Sequence, residues 1–293
     1  MKIFLTGAAG KLGLATAVAL KRGGHEVIGA DRRVRDDFPD RLHRVDLLDE
    51  AAVRETMAGC EAVVHAGNHP NVGAAPTPQM VYRENVAMNV HVFQAAAEGG
   101  IRRWVFASSI QVCGGDRHGG ERQRPSSLPY LPLDGHLPPN PGNLYALSKV
   151  AGEDLLRFYV RRLPDLSAVA VRFPMLVDPS RTVQLRARFA VGRPSGPLDE
   201  GFSYLTLSDA AELVLALLER PALGFRVLLP AARGNTLGRP PGEIIREYYA
   251  GVPLRVPAEQ MESLVDLSEI EREYGWSPRD NRVFDGRSSM APV

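Results

Sequence analysis

The stretch Lys2-Ile3-Phe4-Leu5-Thr6-Gly7-Ala8-Ala9-Gly10-Lys11-Leu12-Gly13 couples a strand to a helix through glycines. Lys2–Thr6 is an apolar run of strand length. From Lys11 to Arg22, Leu12, Ala15, Val18 and Ala19 recur at helical spacing until Gly23 and Gly24 end the run. The glycines let the backbone turn tightly and approach a ligand closely, and the helix N-terminus behind them offers unpaired N–H groups and a partial positive charge. A pyrophosphate fits such a turn, with Gly7, Ala9, Gly10, Lys11, Leu12 and Gly13 as its contacts. The glycine spacing differs from the usual dinucleotide fingerprint, and glycines that serve only packing would look the same. Position favours the nucleotide: this is the first strand–helix junction, and Asp31 follows the second strand, where a carboxylate accepts hydrogen bonds from the adenosine ribose hydroxyls.

Outward from this turn the alternation continues. Strands are expected at Glu26–Ala30, Leu42–Asp46, Glu61–Ala66, Arg103–Ser108 and Ser167–Phe173. Helices are expected from Asp49, as cap, to Met57, at Met80–Glu98 and at Asn143–Arg162. The pattern predicts an α/β fold: a doubly wound parallel sheet of Rossmann type, with a small C-terminal substrate lobe. Residues 1–173 form the dinucleotide-binding part and 174–293 the smaller lobe, some of whose segments return to the sheet. In that lobe the spacing predicts helices at Val183–Val191, Ser208–Arg220 (capped by Ser208 or Asp209), Gly242–Tyr249 and Leu267–Tyr274. It predicts strands at Tyr204–Leu207 and Phe225–Leu229. Gly114–Gly142, rich in Gly, Pro, Arg and Ser, reads as a long surface loop near the site.

The chain has 293 residues with 35 basic and 34 acidic side chains. That balance gives no reason to expect nucleic acid or an anionic membrane as partner. No apolar run reaches membrane-spanning length, and the first residues read as a strand, not a signal peptide. Cys60 and Cys113, both in apolar runs, point to a reduced, cytoplasmic protein. The histidines show no paired metal spacing, so no metal site is expected, and His65, at the end of the fourth strand, reads as packing.

Tyr145 and Lys149 lie four residues apart on the second long helix, so phenol and ammonium share one face. The ammonium is expected to lower the phenol toward working pH. Tyr145 can then exchange a proton with a substrate oxygen while hydride moves to or from a nicotinamide. Lys149 can also bind the nicotinamide ribose. The fifth strand ends in Ser108 and Ser109, at the edge where ligands bind in such sheets. Ser109 is the first choice to hydrogen-bond the reacting oxygen and Ser108 the second. Asp31 favours NAD over NADP, since a carboxylate repels a 2′-phosphate, but Arg32 and Arg33 could pair with one. Asp46 and Leu47 stand where the adenine edge would lie. Arg117, Arg122 and Arg124 form a basic loop, either solvated or facing an acidic substrate.

Taken together, these features resemble the NAD-dependent epimerase/dehydratase family, the extended short-chain dehydrogenases/reductases. The matching motifs also include Val64-His65-Ala66-Gly67, Glu84-Asn85-Val86, Arg172-Phe173-Pro174, Leu205-Thr206-Leu207-Ser208-Asp209 and Tyr274-Gly275-Trp276-Ser277-Pro278. The resemblance implies a catalytic group of Ser109, Tyr145 and Lys149. It implies that Ala66 and Gly67 line the cofactor, that Phe173 and Pro174 flank the nicotinamide, and that Asn85 and Ser108 belong to the cofactor site. It also implies a homodimer through the two long helices. Two departures bear on substrate. Val112-Cys113-Gly114 stands where sugar-nucleotide epimerases have Val-Tyr-Gly. Asp178–Phe202 is shorter than their diphosphate-wrapping stretch, though Arg181, Arg186, Arg188 and Arg193 remain available. A compact lobe with a Gly-Trp-x-Pro tail resembles the uronate dehydrogenases. The expectation is therefore an NAD(P)-dependent oxidoreductase acting on a sugar, sugar acid or related compound, with nucleotide-sugar epimerisation or dehydration as the alternative.

Overall fold

The computed structural model describes residues 1–114, 128–178, 180, 198–281 and 283–284. Its first two thirds run β1 (Lys2–Thr6), α1 (Lys11–Arg22), β2 (Glu26–Asp31), β3 (Arg41–Arg44), α2 (Glu50–Met57), β4 (Ala62–His65), α3 (Pro78–Glu98), β5 (Arg103–Ser109), a 3-10 turn (Ile110–Cys113), α4 (Leu144–Arg162) and β6 (Ser167–Phe173). There follow β7 (Met175–Val177), a 3-10 turn (Leu198–Glu200), β8 (Tyr204–Thr206), α5 (Leu207–Glu219), β9 (Gly224–Leu228), α6 (Pro241–Tyr248) and α7 (Ser268–Tyr274). Seven strands form one parallel sheet in the order β3-β2-β1-β4-β5-β6-β9. This is the doubly wound Rossmann order. It reverses direction between β1 and β4, and ligands bind at such a reversal.

Alternation along β1 shows how the sheet acquires two cores. Ile3 and Leu5 pack on one side with Ala17 and Leu20 of α1 and Val214 and Leu217 of α5. Phe4 points to the other side, with Val53 of α2, Val92 and Phe93 of α3 and Leu156 of α4. Side chains cap four successive helices: Asp49, Thr77, Asn143 and Thr206 each accept from a backbone N–H of α2, α3, α4 and α5.

Several expectations change. The cap of α5 is Thr206, not Ser208 or Asp209. Asp209 instead accepts from the backbone of Arg279 and Asp280, and its carbonyl accepts from the Trp276 indole, so it ties the C-terminal segment to α5. β7, which pairs with β8 apart from the main sheet, was not expected, because three residues are too few to show a period. The second half of the expected surface loop is not on the surface: Leu128, Leu131, Leu133 and Leu137 are buried, and Leu131 and Leu133 bridge to Leu254 and Val265. The expected helix Val183–Val191 lies outside the described residues, as do Arg117, Arg122, Arg124, Arg181, Arg186, Arg188 and Arg193.

One ion pair lies beneath the junction of α4, β5 and β6. Arg172 on β6 is 1% exposed and Glu153 on α4 is 0% exposed. Arg172 donates to both carboxylate oxygens of Glu153, at 2.9 and 2.8 Å. Its remaining nitrogen donates to the Leu137 carbonyl at 2.7 Å and contacts Cys113 Sγ at 3.3 Å, while Ser108 donates to Glu153 Oε1 at 2.8 Å. A buried charge left without its partner is costly, whereas replacing both partners by apolar groups of similar volume is often tolerated. Arg172→Met should therefore destabilise the protein by about 3–5 kcal/mol, and adding Glu153→Leu should restore a large part of that. Urea unfolding of the two variants checks this; equal losses would show that packing, not the stranded carboxylate, sets the cost.

Candidate active site

A crevice of about 1130 Å³ opens along the C-terminal ends of the strands. It exceeds the roughly 300–1,000 Å³ of an ordinary small-molecule site, as a dinucleotide with a substrate requires. Gly7, Gly10, Lys11, Leu12, Gly13, Asp31, Arg32, Asp46, Leu47, Ala66, Gly67, Ser108, Ser109, Tyr145, Lys149, Phe173 and Pro174 all line it. Of the residues expected at the site, Ala9 and Asn85 do not. Ala9 donates its backbone N–H to Asp31 Oδ2 at 3.1 Å and so fixes the acid from behind. Asn85 is wholly buried: it accepts from the His69 backbone N–H at 2.7 Å and donates to the His69 carbonyl and the Ser148 hydroxyl. It joins the loop after β4 to α4 just behind Tyr145.

The glycine turn suits a phosphate. Unlike α2 to α5, α1 has no capping side chain; its N-cap is Gly10. Its first turn can thus receive an anion through backbone N–H groups. Gly7 sits at φ +67°, and a Cβ there would meet the Ala66 carbonyl at 2.6 Å. A Cβ on Gly13 would come within 2.1 Å of the Gly7 carbonyl. At Gly10 the one close neighbour is the Gly7 carbonyl, at 3.0 Å. Asp31 also accepts from the Arg33 N–H at 3.0 Å, so its carboxylate is pinned at the end of β2.

At the other end of the crevice the chemistry-bearing groups meet. Ser109 stands beside the Tyr145 phenol, where it favours the ionised form, and Lys149 Nζ stands 5.7 Å from the centre of the Tyr145 ring. Lys149 donates to Asn68 Oδ1 at 2.8 Å and to the Ala107 carbonyl at 2.7 Å. Ser108, the second-choice serine, turns its hydroxyl away to Glu153. The expected lowering of the phenol by the ammonium is overturned. Burial pushes Tyr145 up to about 12, the Ser109 hydrogen bond opposing and the Glu200 charge adding to the rise. Burial also brings Lys149 down to about 7. Exclusion of water penalises both charged forms more than proximity helps either.

His65 matches its packing assignment. Its Nε2 donates to Asn89, its Nδ1 accepts from Thr6, and burial lowers it to about 3. Thr6 Oγ1 in turn accepts from the Ala66 and Gly67 N–H groups, which fixes the loop against the glycine turn. Asn68, His69, Glu200, Phe202 and Thr236 also line the crevice without having been singled out. Asn68 directly follows the Ala66-Gly67 motif, which was the available hint; Glu200 carried none.

Sequence comparison agrees with this geometry. Residues 3–226 match the model of the NAD dependent epimerase/dehydratase family. The chain belongs to that family. It is 27% identical over 244 residues to a uronate dehydrogenase of Pseudomonas putida, covering 80% of this chain and 78% of the relative. It is 34% identical over 192 residues to an NAD-dependent glucose-6-phosphate dehydrogenase of Haloferax volcanii, covering 60% of this chain and 69% of the relative. In fold it is similar to a UDP-glucose 4-epimerase from Bifidobacterium longum solved with NAD+ and UDP, with a TM-score of 0.69, 18% identity and coverage of 97% of this chain and 96% of that one. This family member is an NAD-dependent enzyme. Among the described residues, no helix is long and apolar enough to cross a membrane.

Two measurements probe the site. Gly10→Val should abolish protection by NAD against heat while leaving the melting temperature of the free protein close to native; Gly13→Ala should lower that temperature itself, its Cβ having no room. Persistent NAD protection of Gly10→Val would remove the turn from the phosphate site. The second concerns Lys149, at about 7 folded against 10.5 ordinarily. Between those values the unfolded chain holds the extra proton, so stability rises with pH from about 7, by at most ~1.4 kcal/mol per pH unit, and is flat below. Urea unfolding of native protein and Lys149→Met at pH 6, 7.5 and 9 should show the gap changing in favour of the native chain. A constant gap would mean that the buried amine keeps its proton.

Proposed function

We propose that this enzyme transfers hydride between a free sugar or sugar acid and NAD and releases the product, with Ser109, Tyr145 and Lys149 as its catalytic group. The convergence of these three side chains at one end of the crevice, with the pinned Asp31 at the other, carries the reading. Bound NAD+ supplies the hydride acceptor and a positive charge that favours the phenolate. Tyr145 takes the proton from the substrate hydroxyl in oxidation and returns it in reduction, and the Ser109 hydroxyl hydrogen-bonds the same oxygen. Lys149, oriented by Asn68 and the Ala107 carbonyl, holds the nicotinamide ribose, while Phe173 and Pro174 flank the ring. Asp31 holds the adenosine ribose and disfavours NADP. Asp46 and Leu47 face the adenine.

The part from residue 174 onward, α5 and β9 apart, serves as the substrate lobe. Short Asp178–Phe202 favours a compact substrate over a nucleotide sugar, and the dehydrogenases among the relatives agree with that choice. Internal epimerisation of a nucleotide sugar is the second reading, supported by the shared fold of the epimerase solved with UDP. For assembly, a homodimer through α3 and α4 is favoured by exposed apolar residues on those helices, Val90, Leu147 and Phe158. The two buried free thiols favour a cytoplasmic setting.

The test is a screen of aldoses, uronic acids and nucleotide sugars with NAD, following the NADH band. NADH should appear in step with sugar consumed, and Tyr145→Phe should lose a factor of ~10²–10⁴ in turnover while keeping NAD affinity. A nucleotide sugar isomerised without net NADH would overturn the choice of reaction, and a fully active Tyr145→Phe the choice of proton carrier.

A further inference from the structure

His69 has no place in the proton and cofactor roles above, although it lines the crevice. Its backbone is held on both sides by one side chain. The N–H donates to Asn85 Oδ1 at 2.7 Å, and the carbonyl accepts from Asn85 Nδ2 at 3.3 Å. Asn85 also donates to Ser148, the neighbour of Lys149 on α4. Asn68, just before His69, accepts from Lys149 Nζ. The loop after β4 thus runs from the glycine turn, which it meets at Gly67, past Lys149 to His69. That course leaves His69 on the wall of the reacting end.

The ring is anchored as well. Its Nε2 lies 2.7 Å from Glu84 Oε2 on α3, and Arg83 stands 3.7 Å from the other oxygen of Glu84. A carboxylate accepts and does not donate, so Nε2 carries the hydrogen and the neutral ring presents Nδ1 as an acceptor. Among the described residues Nδ1 has no hydrogen-bond partner, and it is not one of the unpaired polar atoms sealed from solvent. His69 is only 6% exposed, and the crevice is the opening that it lines. His65 is the contrast. It is buried too, but it meets Thr6 through one nitrogen and Asn89 through the other, so no atom is left for a ligand. A ring fixed at one nitrogen by a carboxylate and open at the other is prepared to receive a hydrogen-bond donor. A hydroxyl group fits: it donates to Nδ1 while its oxygen stays free to accept elsewhere. The sugar brings several, whereas the nicotinamide ribose is held by Lys149 in the reading above.

We infer that His69 is a further substrate-contacting residue, accepting through Nδ1 a hydrogen bond from a sugar hydroxyl other than the reacting one, with Glu84 as the positioning residue that fixes the tautomer and orientation of the ring. The inference rests on the dehydrogenase reading and adds a contact to it. Steady-state kinetics with NAD on D-glucose, D-galactose, D-glucuronate and D-galacturonate test it in the native enzyme, His69→Leu, His69→Asn and Glu84→Gln, with NAD affinity measured separately by fluorescence titration. His69→Leu should lower kcat/KM on the preferred sugar about fivefold or more, the scale of one hydrogen bond, mainly through KM and with NAD affinity close to native. His69→Asn, whose amide oxygen can occupy the place of Nδ1, should recover part of that loss. The carboxamide of Glu84→Gln can give or take a hydrogen bond at Nε2 and no longer fixes the tautomer, so a smaller loss in the same parameter is expected. Unchanged kinetics in His69→Leu, a loss not eased in His69→Asn, or a fall in NAD affinity that matches the kinetic loss would overturn the inference while leaving hydride transfer from the sugar intact. Oxidation of none of the four sugars, with a nucleotide sugar isomerised without net NADH, would overturn the dehydrogenase reading beneath it.

Discussion

The Arg172–Glu153 ion pair is the contact on which the active end of this molecule depends. It is sealed from water, so neither charge can relax into solvent, and each must keep its partner. Five elements are joined through it: α4 and β6 by the pair itself, β5 by Ser108, the 3-10 turn by Cys113 and the segment before α4 by the Leu137 carbonyl. Tyr145, Lys149 and Glu153 follow one another at four-residue intervals on α4. Anchoring Glu153 therefore sets the rotation and depth of the face that presents the phenol and the amine. The same pair takes up the Ser108 hydroxyl, which leaves Ser109 for Tyr145. A structural interaction thus chooses between two adjacent serines.

A second set of contacts holds the opposite wall. Thr6 and His65 fix the loop after β4 against the glycine turn, and Asn85 ties that loop to Ser148 of α4. Asn68 then reaches Lys149. These hydrogen bonds are buried or partly buried, and they satisfy groups that packing withdraws from water. The same dryness raises Tyr145 and lowers Lys149, so the enclosure that positions the two groups also decides their protonation. Among the described residues that line the crevice, basic and acidic side chains mix around the turn, while Glu200 stands at the end of the phenol. The two ends can therefore recognise different chemistry within one cavity.

Much of this could be read in the chain itself. The order of strands and helices through β6, the glycine turn, Asp31 and the Tyr145–Lys149 spacing all depend on neighbours a few residues apart, where backbone geometry fixes the periods. Exclusion of water is different, because it depends on everything packed around a group. Proximity of Tyr145 to Lys149 suggested a lowered phenol; burial reversed the sign. Likewise Asn85 stood in a recognisable motif, but its amide spans α3, the β4 loop and α4 and does not face the crevice.

What the sequence by itself determined is the doubly wound sheet and the residues at its ligand-binding edge, because local periodicity and turn chemistry need no distant partner. Tertiary structure alone decided that Ser109 and not Ser108 meets Tyr145, that Thr206 and not Asp209 caps α5, that β7 pairs with β8, and that Glu200 lines the crevice. Each of these outcomes is settled by a partner remote in the chain or by which of several competing hydrogen bonds packing permits. No window of sequence contains those competitors together, and folding brings them within reach of one another.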